Sequence, residues 1–130
     1  MAHRRIFDGT EAAGGYARAV RTDKMVFVAG TTALRADGTV NGSDTYSQTK
    51  VTYDKIEAAL KEAGAQLADV VRITAYITDI GEADGFIRAQ TERFPGQEVP
   101  AAALIGGAEL LKPDLLIEIE ATAIIEREPS

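Results

Sequence analysis

The chain has 130 residues, 45% of them apolar, and a formal charge of −6 from 14 basic and 20 acidic side chains. That is the length of one domain, 1–130, with enough apolar residues for a core of its own. No run reaches the roughly 18 apolar residues of a membrane span, and an acidic chain lacks the basic footprint that a phosphate backbone requires, so neither membrane nor nucleic acid is an expected partner.

The N-terminus, M-A-H-R-R-I-F-D, has no hydrophobic segment of a secretory signal, and a cytoplasmic location is expected. There is no cysteine and one histidine, His3, which leaves no basis for a disulfide, a thiol nucleophile, a zinc site or a histidine-based triad. Residues 1–15 carry the turn signals Asp8-Gly9 and Gly14-Gly15. Residues 16–21 extend as a short strand with Tyr16, Arg18 and Val20 on one face, and Thr22-Asp23-Lys24 is a turn. Met25 to Thr31 is apolar on both faces and predicts a central strand, paired with 16–21 as a hairpin. Leu34 to Val40, around Ala36-Asp37-Gly38, has room for a short edge strand.

Ser43-Asp44 opens a helix, with Thr49, Tyr53, Ile56, Leu60 and Ala63 on one face and Gly64 as its stop. In residues 70–80, Val71, Ile73, Ala75 and Ile77 form an apolar strand face opposite Arg72, Thr74, Tyr76 and Thr78. A second helix covers 82–94, weakened by Gly85 and ended by Pro95-Gly96. The last strand has Leu115, Ile117, Ile119, Ala121 and Ala123 on one side and Leu116, Glu118, Glu120, Thr122 and Ile124 on the other. The order β-β-(β)-α-β-α-β-β predicts an α+β fold: one mixed sheet with two helices on a single face. The other face carries Met25, Phe27, Tyr76 and Leu116, too much apolar area to leave in water, so self-association is expected.

G-G-Y at 14–16, V-F-V-A-G-T-T at 26–32, D-V-V-R-I-T-A-Y-I-T-D-I at 69–80, V-P-A-A at 99–102 and I-E-I-E-A-T-A at 117–123 occur in one order with matching gaps. This pattern resembles the Rid family, the reactive intermediate deaminases also labelled YjgF-like or endoribonuclease L-PSP-like, from about Gly14 to Ala123. The resemblance implies a chorismate-mutase-like fold and a homotrimer with a central barrel and ligand clefts between neighbouring subunits. It also implies hydrolysis of imines or enamines to a carbonyl compound and ammonia, with no metal and no organic cofactor. Residue by residue, the family tyrosine is kept as Tyr16. Its Ser-Gly-Gln reads Ala29-Gly30-Thr31, its helix asparagine falls near Ile87, and its Pro-Ala-Arg reads Pro100-Ala101-Ala102. The arginine that grips the substrate carboxylate is therefore absent at Ala102. Glu-Ile-Glu-Ala is intact as Glu118 to Ala121, and the resemblance sets Glu118 beside the reacting water.

A carboxylate orients and deprotonates water when burial moves its pKa toward neutrality, which suits Glu118; as an ordinary strand carboxylate it would instead face solvent or an ion pair. Tyr16 offers a hydroxyl or a stacking ring, or is an interface aromatic. Gly30 lets a ligand approach backbone amides, and Thr31 offers a hydroxyl beside it; both also fit a plain strand end. Arg18, two residues from Tyr16, is the expected substitute for the missing arginine, against a solvated surface arginine. Glu120 is read as structural, paired with a cation. The leading function is a hydrolase of a reactive imine or enamine. The alternative is a non-catalytic metabolite-binding or regulatory trimer, and an endoribonuclease ranks last.

Overall fold

The computed structural model describes residues 2–11 and 13–126. The chain order is β1 (Arg4–Ile6), β2 (Ala19–Thr22), β3 (Met25–Thr31), α1 (Thr45–Glu62), β4 (Val70–Ile77), α2 (Ala83–Arg93), β5 (Ala101–Ile105) and β6 (Ile117–Ile124). The six strands form one sheet in the order β1-β2-β3-β6-β4-β5. All pairs are antiparallel except β4 with β5. The predicted mixed sheet is thus present, and β1 is an addition, since its three residues are too few to show a period. The predicted edge strand at 34–40 is reduced to a single bridge, Leu34 with Val40.

Helix α1 begins at Asp44, whose side chain accepts the Ser47 N–H at 2.7 Å. It ends in a Schellman arrangement. The Ala65 N–H donates to Leu60 O at 2.8 Å and the Gly64 N–H to Lys61 O at 3.0 Å, with Gly64 at φ 85°. Both helices lie on one sheet face, where Tyr53, Ile56, Leu60, Phe86 and Phe94 pack on Val26, Ile73, Ile117 and Ile119. Tyr53 and Phe94 meet edge to face with centroids 5.5 Å apart. The buried Tyr53 hydroxyl donates to Gln90, so the residue that breaks the apolar stripe of α2 ties the helices together.

Two irregularities re-aim the strands. In β3 the pairing with β6 passes from Val28↔Ala121 to Thr31↔Ile119, three residues against two, so one extra residue enters at Ala29-Gly30. Val26 and Val28 face the core before it, and Thr31 faces the core after it. In β4 the pairing passes from Val70↔Ala123 to Arg72↔Thr122. Val71 is the extra residue and stands exposed, so the core position expected for it belongs to Val70. The sheet face away from the helices bears Met25, Phe27, Arg72, Thr74, Tyr76, Glu118, Glu120 and Thr122, none of them buried.

Candidate active site

The bulge in β3 builds the site. It leaves Gly30 beside the Glu118 side chain of β6, so that a Cβ on Gly30 would lie 3.0 Å from Glu118 Cδ and 3.0 Å from its Oε2. The carboxylate thus rests against bare backbone, and a side chain at 30 would make it shift by a few tenths of an ångström. Glu118 is half-buried. Burial pushes its pKa above the ordinary value, the Glu120 carboxylate adds to that, and the Arg18 guanidinium opposes it. Glu120 is exposed and accepts from the Tyr76 hydroxyl at 3.0 Å, so its partner is a tyrosine and not the expected cation.

Arg18 is 2% exposed. Its backbone continues the sheet past β2: its N–H donates to Ile6 O at 2.8 Å, and its carbonyl accepts the Ala29 N–H at 2.9 Å. Its Nη1 donates to Gly30 O at 2.8 Å and Thr31 Oγ1 at 3.1 Å, and its Nη2 to Thr10 Oγ1 at 3.1 Å. Asp8 and Glu11 carboxylates stand 3.5 and 3.6 Å from its Nε. Arg18 is therefore neither solvated nor open to a substrate carboxylate within one chain. It is the buried counter-charge that holds the Gly30 corner. Thr31 shares that role. The bulge turns it inward, and its hydroxyl donates to Ala29 O at 2.7 Å. Tyr16 is exposed at the rim, with Arg18 Cζ 5.5 Å from its ring centroid and Nη2 3.5 Å from its hydroxyl.

An open cleft of about 490 Å³ crosses this sheet face, lined by Tyr16, Val20, Phe27, Arg72, Glu120 and Thr122 among others. Of the expected site residues only Tyr16 lines that cleft; Arg18, Gly30, Thr31 and Glu118 meet beside it, where Gly30 touches Glu118 and Arg18 binds Gly30 and Thr31. Ala102 is not among them: β5 pairs only with β4, and Ala102 lies opposite Ile73, while Glu118 lies opposite Tyr76. Thr10, Asp8 and Glu11 were missed in the sequence. Their only local signal is Asp8-Gly9, and the contact that recruits them is made by Arg18.

Among the described residues there is no cluster of side chains that could hold a metal ion and no helix long and apolar enough to cross a membrane. A family model described as endoribonuclease L-PSP matches residues 8–125. The chain belongs to the Rid/YjgF family. Within that family it is 36% identical over 114 residues to a RutC family protein of Pyrococcus abyssi, covering 87% of this chain and 88% of the relative. It superposes with a TM-score of 0.85 on a Mycobacterium tuberculosis member of the YjgF/YER057c/UK114 family, at 38% identity over 95% of this chain and all of that one. A Rid family protein of unknown function from Yersinia pestis gives a TM-score of 0.84 at 25% identity, covering 95% and 100%. These Rid/YjgF structures share the α+β domain with two helices on one sheet face.

Proposed function

We propose that this chain is a hydrolase of a small, reactive imine or enamine, releasing a carbonyl compound and ammonia. The observation that carries the reading is the Glu118 carboxylate, half-buried against Gly30 with its pKa raised. In this reading Glu118 orients a water beside the C=N carbon and takes its proton. The oxygen bonds to carbon, the nitrogen is protonated, and collapse of the carbinolamine expels ammonia. Gly30 exposes backbone to the ligand, Tyr16 closes the rim, and Arg18 and Thr31 hold the corner. The family match supports the scaffold. Membership in a trimer with a central barrel, with clefts between neighbours that Ala102 would line, is part of the same proposal, as are a cytoplasmic location and independence of metal and organic cofactors. With alanine at 102, the substrate is not expected to be gripped through a carboxylate there.

The second reading, a non-catalytic binding or regulatory trimer, draws on the alanines at 29 and 102 and the isoleucine at 87. A Lactococcus lactis relative, 29% identical over 120 residues and covering 92% of this chain and 94% of its own, carries the name "Putative regulator AldR". A ribonuclease fits poorly with a charge of −6 and an exposed carboxylate, Glu120, on the cleft. The deciding experiment generates imines in situ by enzymatic oxidation of a panel of amines and amino acids and follows carbonyl formation. Acceleration that Glu118→Gln removes supports the hydrolase. Tight binding of a panel member without turnover supports the regulator.

A further inference from the structure

A second, open cavity of about 510 Å³ shares no lining residue with the cleft, although Asp8 and Thr10, which hold Arg18, also line it. Its wall is largely apolar, from Ala33, Leu34, Val51 and Ala58, and Lys55 and Arg35 also line it. Lys55 projects from α1 to the loop after β3. Its Nζ donates to Thr32 O at 2.9 Å and to Leu34 O at 2.9 Å. Two committed hydrogens are all that a neutral amine has, so in that form the lone pair points away from both carbonyls. Arg35 makes its hydrogen bonds through Nη1 alone, to Thr39 Oγ1 at 3.1 Å and Val40 O at 3.4 Å. The carboxylates on the same wall are engaged: Asp8 lies near Arg18, and Asp54 pairs with Arg93. Asp37 also feels the Arg35 charge, but its carboxylate accepts the Thr39 N–H and hydroxyl, so Arg35 keeps Nε and Nη2 to meet an anion.

We propose that this cavity is a covalent capture site, in which Lys55 forms a reversible Schiff base with a small 2-oxo acid whose carboxylate is held by Arg35. The amine lone pair attacks the keto carbon, and one N–H proton passes to the carbonyl oxygen to give a carbinolamine, so Nζ gives up one of its two backbone carbonyls. Loss of water then leaves the C=N bond, and hydrolysis reverses the step; no oxidant or reductant is involved. The surroundings favour the neutral amine. Burial first and the buried Arg18 charge second lower the Lys55 pKa, Asp8 and Glu11 oppose them, and the net value falls from 10.5 to about 8. At pH 7.5 roughly a quarter of such an amine is neutral, against about one part in a thousand for an ordinary lysine.

The test is reductive trapping on the full chain. The protein is incubated with pyruvate and cyanoborohydride at pH 7.5, digested, and each lysine peptide is quantified by mass spectrometry. Lys55 is expected to be labelled at least tenfold faster than Lys24, Lys50, Lys61 or Lys112. Lys55→Arg, which keeps the charge and the carbonyl contacts, should remove that fast phase with unchanged circular dichroism. Arg35→Gln should slow pyruvate labelling of Lys55 about tenfold while leaving labelling by propanal, which has no carboxylate, unchanged. Label spread evenly over the five lysines overturns the capture site. Equal loss of pyruvate and propanal labelling in Arg35→Gln overturns the oxo-acid assignment. None of these readouts uses Glu118 or turnover, so they stand apart from the hydrolase reading.

Discussion

The Glu118 carboxylate sits where its charge is costly, and that fixes two measurements. As the base in an imine hydrolysis it should contribute about two to four decades of rate, so Glu118→Gln should lower turnover by that factor with ligand affinity nearly intact. Normal turnover by the variant on any accepted substrate would return Glu118 to a structural role. The wild-type rate should fall on the acid side as the carboxylate is protonated, with a midpoint above the ordinary 4.5. Stability should move the other way. Burial and Glu120 raise the folded-state pKa above the unfolded one, so the stabilisation is full below the unfolded value and is lost as the pH climbs through the folded value. Glu118→Gln should therefore melt higher than the wild type at pH 7, with the gain shrinking below pH 4.5. Arg18 is the opposite case. Removing a buried guanidinium that faces Asp8 and Glu11 and binds Gly30 O leaves charges and a carbonyl without their partner, at a cost of about 3–5 kcal/mol. Urea denaturation of Arg18→Met measures it, and a loss under about 1 kcal/mol would mean that water replaces the guanidinium readily.

At the scale of elements, α1 shows how local signals act. Gly64 holds a positive φ at its C-terminus, and a Cβ there would lie 2.6 Å from Arg21 Nη1, which itself donates to Ala63 O at 2.6 Å. Gly64→Ala should cost roughly 1–2 kcal/mol from backbone strain alone. A thermal melt unchanged within error would show that the helix end relaxes around it. Such features were legible because they are local: Asp44, Gly64 and the alternation in 117–124 carry their meaning within a few residues. The sheet bulges were not. A bulge is defined by the partner strand's count, and nothing in Val28-Ala29-Gly30-Thr31 states that β6 has one residue fewer. Without the two bulges Thr31 falls beside a ligand and Val71 in the core; with them Thr31 is buried and Val71 exposed. Arg18 was hidden as well. Alternation makes Arg18 a face-mate of Tyr16, and only the fold brings Asp8, Thr10 and Glu11 around it. Glu118 was legible through the intact Glu-Ile-Glu-Ala segment, and the cavity at Lys55 was not, since its wall comes from β3's trailing loop, α1 and the N-terminal segment.

At the scale of the molecule, the sheet is covered on one side only. Phe27, Met25, Val71 and Ile105 remain 44%, 36%, 45% and 47% exposed. Burying the rest of a half-exposed phenylalanine alone is worth about 2 kcal/mol per chain, and several such side chains on one face favour association. Within one chain Ala102 lies two strands from Glu118 and lines a separate small pocket with Arg72 and Ile73, so the proposed site joins the two only if a second chain supplies one of them. Sedimentation should give a species of three 13.8 kDa chains at micromolar concentration. Phe27→Glu is the sharper test. Phe27 pairs with Thr122 at the middle of the open face, and Glu120 lines the same cleft, so a new carboxylate there meets existing negative charge as well as losing apolar contact. The variant should sediment as a monomer and melt well below the wild type, and 1 M salt should restore only part of the assembly, since salt screens the repulsion but does not replace the ring. A wild type that stays monomeric would overturn the trimer and the cleft between chains together. A Phe27→Glu variant that stays trimeric would leave the trimer standing and move its interface off the centre of this face.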